Sequence, residues 1–153
     1  MSAPKIDLKS PIQFIASGFG SGSSPIAPGT MGTVMAIPLW MLFSLLSPPL
    51  YIGMLIITTL FGIYICGAAS KELGVHDHGG IVWDEFVGYW ITMFLIPLTF
   101  WNIVIGFLLF RLFDILKPWT ISAIDRRVKG GFGIMIDDII AGLFALLCFH
   151  IGR

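Results

Sequence analysis

The chain has 153 residues, of which 12% are charged, 9 basic and 9 acidic, while 56% are hydrophobic. A soluble domain carries about a quarter charged residues, so this chain, with mean hydropathy +0.91, lacks the polar surface to cover a water-facing globule and reads as lipid-solvated. Zero net charge excludes the concentrated basic face that displaces counterions from phosphates, so no nucleic-acid partner is expected.

Residues 1–32 form an N-terminal segment with a Gly/Pro-rich loop. Lys5 and Lys9 are followed by only a brief apolar stretch, so the segment lacks a signal-peptide pattern and is expected to be retained. Residues 33–153 read as a membrane-embedded helical domain, so that the chain is one domain overall. No charge occurs between Thr33 and Ser70, a length too great for one crossing of a ~30 Å hydrocarbon core at ~1.5 Å per residue. Ser47-Pro48-Pro49 is the natural fold-back, because proline removes a donor and biases its predecessor away from helix. This predicts spans over 31–46 and 50–69. A turn near Pro97, Thr99 and Asn102 divides the next apolar stretch into 81–96 and 100–116, and 134–151 makes a fifth span. The predicted fold class is therefore all-α: a polytopic membrane bundle of about four to five embedded helices. Cys66 and Cys148 both lie in apolar runs and are read as small buried hydrophobes.

With the five spans in series, every charge except Arg153 falls on one face, and the positive-inside rule makes that face cytoplasmic. Trp83 and Trp119 would suit the inner interface, Tyr51 and Trp101 the outer one, and His150 reads as a lone interfacial histidine.

Four segments meet at the charged face. Gly29 and Thr30 lead into the first span, where they read either as a flexible lead-in capped by Thr30 or as a phosphate site, since helix-start amides favour an anion. His76 and His78 precede Asp84 and Glu85, adjacent carboxylates placed where the chain enters lipid, which is costly without a polar cavity or a cation. Arg111, Asp114 and Lys117 follow at spacings of three, so they either form a local ion-pair network or offer two cations to a phosphate. Asp137 and Asp138 open the last span, with Arg126 and Arg127 before them read as surface anchors. Two carboxylate pairs joined by Asp114 make a hard-oxygen cluster suited to magnesium or manganese. Such a cluster fits hydrolysis of a phosphate ester on a lipid headgroup, with an aspartyl-phosphate intermediate left open. A transporter would place polar groups near the midplane, whereas residues 103–110 and 141–149 carry no charge.

Taken together, Gly20-Ser21-Gly22 with Pro25-Ile26-Ala27-Pro28-Gly29-Thr30, Trp83-Asp84-Glu85-Phe86-Val87-Gly88, Arg111 with Asp114-Ile115-Leu116-Lys117-Pro118, and Gly130-Gly131-Phe132-Gly133-Ile134-Met135-Ile136-Asp137-Asp138 resemble the motifs of the phosphatidylglycerophosphatase A family. Thr120 stands where that family usually has a second proline. The resemblance implies a magnesium-dependent, multi-pass phosphatase of the bacterial inner membrane with a cytoplasmic-side site, converting phosphatidylglycerophosphate to phosphatidylglycerol and phosphate. The residues expected to perform the chemistry are Asp84, Glu85, Asp114, Asp137 and Asp138. Asp84, Glu85, Asp137 and Asp138 are the expected metal ligands, and Gly29, Thr30, Arg111 and Lys117 the expected phosphate contacts.

Overall fold

The structure is a computed structural model that describes residues 6–23, 28–74, 80–116 and 130–152. Among these residues there are six α-helices, one short 3-10 turn (Ser21–Ser23) and no strand, as an all-α chain requires. The helices are α1 (Pro11–Ala16), α2 (Pro28–Phe43), α3 (Pro48–Leu73), α4 (Trp83–Thr92), α5 (Phe100–Leu116) and α6 (Gly130–Ile151).

The breaks between helices follow from local chemistry. Ser47 is extended and Pro48 opens α3, so the predicted fold-back is where the second long helix begins. Thr99 caps α5 by accepting the Asn102 N–H on its hydroxyl at 3.1 Å. Gly74 ends α3 in the left-handed conformation, at φ 70°. Ser10 and Pro11 supply the capped start of α1, a signal that the sequence reading passed over.

Among the described residues two helices are long and apolar enough to cross a membrane: α3 and the Gly131–Ile151 stretch of α6. The others are shorter than the expected four to five spans imply. α2 has 16 residues and α5 has 17. The predicted 81–96 span is a helix of only 10 residues, or about 15 Å at the α-helical rise. That is half a bilayer's hydrocarbon thickness, and the reason lies in its surroundings.

Helix α4 is the axis of the molecule. Nine of its ten residues are buried, and α2, α3, α5 and α6 all pack against it. Its aromatic side chains fasten it to three of these neighbours through backbone carbonyls. Trp83 Nε1 donates to Thr58 O of α3 at 3.1 Å, Trp90 Nε1 to Ala36 O of α2 at 3.1 Å, and Tyr89 Oη to Ile103 O of α5 at 3.2 Å. Toward α6 the device is smallness instead, since a Cβ on Gly142 would lie 2.6 Å from Gly88 O. At the C-terminal end, Tyr51 Oη donates to Trp90 O, and His150 Nε2 donates to Phe94 O at 2.8 Å. Tyr51 and Trp83 are accordingly buried rather than set in an interfacial belt, and His150 is a partner of the α4 end rather than a lone residue. Trp101 is exposed, and Trp119 lies outside the described residues.

The outward faces are apolar. Leu50, Ile57 and Tyr64 of α3, Leu108 and Ile115 of α5, and Leu147 of α6 are all exposed, the reverse of a water-soluble bundle. Cys66 is buried as expected, but Cys148 faces outward on α6. At the other end of α4, the N-terminal segment folds over its start. Val82 N–H donates to Ala16 O at 2.8 Å, and Phe19 packs edge-on against Trp83. Ser10 Oγ and Gln13 Nε2 donate to Glu72 Oε1 at 2.7 and 2.9 Å, tying α1 to the end of α3. Gly18 sits at φ 63° with Phe86 where a Cβ would go, so the turn needs glycine for both conformation and space.

Candidate active site

The first turn of α4 carries Asp84 and Glu85 into the interior. Asp84 is 6% exposed. Being neighbours on a helix, the two point roughly 100° apart, and the packing of α4 uses this divergence. Glu85 meets α5, where Arg111 Nη1 lies 3.2 Å from Glu85 Oε2. On its own helix Arg111 also pairs with Asp114, three residues on. One guanidinium thus bridges a carboxylate from α4 and another from α5, joining residues 26 positions apart in the chain.

From α6, Asp138 enters at 2% exposure. It lies one turn before Gly142, whose contact with Gly88 brings α6 close enough to deliver a carboxylate to the α4 start. Among the described residues, Asp84, Glu85 and Asp138 form a group in which each offers an oxygen within 4.8 Å of the others. Oxygen ligands at ~2.1 Å from a magnesium-sized ion stand roughly 3–4 Å apart, so a slight contraction would seat one. Asp138 Oδ2 is buried and has no hydrogen-bond partner among the described residues. A buried carboxylate oxygen left unpaired is costly, and a hard cation would satisfy it. The donor set, all carboxylate oxygen, fits magnesium or manganese and not a soft metal.

Asp137 is also buried but stands outside the three-carboxylate group, displaced around α6 by one residue. Asp114 pairs with Arg111 and its carboxyl also lies against those of Glu85 and Asp138. Gly29, in the first turn of α2, faces the same pair: a Cβ there would lie 3.3 Å from Arg111 Nη1 and 3.4 Å from Glu85 Oε1. The start of α2, with half-buried Thr30 next in line, therefore abuts the arginine. Lys117, His76, His78, Thr120, Arg126 and Arg127 lie outside the described residues.

Sequence reasoning missed the cover formed by Ala16 to Gly22 over the start of α4. Ser10-Pro11 and the glycines at 18, 20 and 22 were its visible signals.

The fold and the site thus define a helical, apolar-surfaced chain that gathers carboxylates and an arginine in its interior. The phosphatidylglycerophosphatase A family model matches residues 14–153. A phosphatidylglycerophosphatase A of Escherichia coli is 48% identical over 97% of this chain and 88% of its own length. One of Haemophilus influenzae is 46% identical over 94% of this chain and 89% of its own. A Bacteroides thetaiotaomicron protein bearing the provisional name phosphatidylinositol-3-phosphatase is 34% identical, over 91% of each chain. No solved structure matches. The chain belongs to the phosphatidylglycerophosphatase A family.

Proposed function

We infer that the protein hydrolyses the terminal phosphomonoester of phosphatidylglycerophosphate, giving phosphatidylglycerol and phosphate in phospholipid biosynthesis. Family membership supports the reaction. The observation that carries the site is the buried group of Asp84, Glu85 and Asp138 set against Arg111 and the start of α2.

Phosphoryl transfer asks little covalent chemistry of a protein and much electrostatic positioning. A divalent cation, magnesium in this reading, would be held by Asp84, Glu85 and Asp138 and would supply Lewis-acid assistance to the phosphoryl group. Arg111 meets the phosphate as a planar fork, and its remaining N–H groups suit equatorial oxygens. Asp114 and Glu85 hold that fork in place. The amides of Gly29 and Thr30 add donors at a helix start, where the dipole also favours an anion. Lys117 is assigned to the phosphate from its place in the motif, and Asp137 to the support of Asp138.

The apolar outer surface supports a bacterial inner-membrane protein with several embedded helices, α2 and α5 included, and a cytoplasmic-side site. In this arrangement α4 is an interior half-helix that reaches lipid at neither end, which accounts for its ten residues.

The test is phosphate release from phosphatidylglycerophosphate by the purified protein in detergent. Release that stops on chelation and returns with magnesium is expected. Undiminished release in excess chelator would remove the metal from the mechanism, and no release at all would refute the assigned reaction.

A further inference from the structure

We propose that the phospholipid reaches the site sideways, through the seam between α2 and α5, and keeps its acyl chains in the bilayer against the outward face of α5. This rests on the phosphatase reading above and adds the route and the apolar half of substrate recognition.

On several other sides of the site the described residues pack closely. α3 and α6 touch backbone to backbone where a Cβ on Gly131 would fall 1.8 Å from Ile63 O, and a cavity of about 400 Å³ lies beside that crossing, toward Lys71. α5 and α6 are sealed by the stacked rings of Phe113 and Phe144, with centroids 5.7 Å apart, and Phe110 fills the space over Gly88. The turn at Gly18 lies directly on Val82 and Phe86. The α2 side differs, because there Gly29 faces a guanidinium and a carboxylate instead of an apolar plug. The side chain of Arg111 is 16% exposed and those of Glu85 and Asp114 are 12% exposed, so this edge of the site is reachable from outside.

Immediately outside, the surface is hydrocarbon. Leu108 and Ile115 stand three residues before and four after Arg111, hence on its helical face, and are 60% and 65% exposed. On α2 the residues that share Gly29's face, Gly32, Thr33 and Ala36, are buried, so the exposed hydrocarbon beside the seam belongs to α5. A mostly buried guanidinium at the edge of an exposed aliphatic face suits an amphiphile, with the phosphate at Arg111 and the chains lying on Leu108 and Ile115. Arg111 Nε is buried with no hydrogen-bond partner among the described residues, which leaves a donor inside the site for an incoming phosphate oxygen. A soluble phosphomonoester would gain nothing from the aliphatic flank.

The experiment uses phosphatidylglycerophosphate bearing a diazirine in one acyl chain, photolysed with the full chain in neutral-lipid vesicles. Adducts should concentrate on residues 108–115. They should fall to the level given by a diazirine-bearing diacylglycerol when excess glycerophosphoglycerophosphate is added, or when Arg111→Ala is used. Adducts spread evenly over the outer helices, or concentrated on Leu143 and Leu147 and indifferent to the competitor, overturn the proposal. Phosphate release from the same probe, measured before photolysis, separates the two levels. Its absence refutes the phosphatase reading, whereas release with adducts elsewhere refutes only sideways entry.

Discussion

At the scale of single residues, the site turns on which of two adjacent acids points inward. Asp138 and Asp137 are chemically equivalent in the sequence, yet only Asp138 joins Asp84 and Glu85 in the described group. Asp138→Asn should therefore weaken manganese binding, read by the ion's paramagnetic resonance signal, and lower turnover by at least ~10–100-fold, the loss typical even of residues that merely support a metal ligand. Asp137→Asn should affect turnover with a smaller change in ion binding. Equal loss of ion binding in both would move Asp137 into the ligand set. The acids were legible as candidates because carboxylates are out of place in apolar helices. Their separate roles were not, since helix phase is set by the contact between Gly88 and Gly142, which composition does not reveal. The pairing of Arg111 with Glu85 was hidden for the same reason, being created by the packing of α4 against α5.

At the scale of helices, the limits of the bundle's members are set by close approach. Gly131 lies against the backbone of Ile63, with 1.8 Å available where a Cβ would need about twice that. Gly131→Ala should force α6 away from α3 and cost about 1–3 kcal/mol, the range for overpacking a well-filled interior. Thermal unfolding in detergent measures this, and Gly53→Ala, at a glycine with open space around it, serves as the control that should change little. An unaltered transition for Gly131→Ala would contradict the close crossing. The fold-back at Pro48 and the start of α5 at Phe100 were readable, because proline and a threonine cap act locally. The length of α4 was not. Residues 81–96 are apolar whether they face lipid or protein, and only the ring of helices around α4 makes them interior.

At the scale of the molecule, the apolar exterior and the acidic interior define an axis for the chain. Single-cysteine labelling with a membrane-impermeant reagent should find Lys9→Cys and Glu72→Cys accessible from the cytoplasm, and Ser44→Cys and Leu98→Cys from the opposite side. Label at position 9 and position 98 from the same side would break the proposed crossing pattern. This axis gives the Tyr51 and His150 contacts a wider meaning. A helix that stops inside an apolar bundle ends in carbonyls that water would ordinarily satisfy. Here a phenol from the start of α3 and an imidazole from the end of α6 stand in for that solvent at Trp90 and Phe94. The two long helices thus carry, at their far ends, a built-in replacement for water. The depth at which α4 stops, and with it the height of the carboxylates above the far side, is fixed by where those two side chains lie.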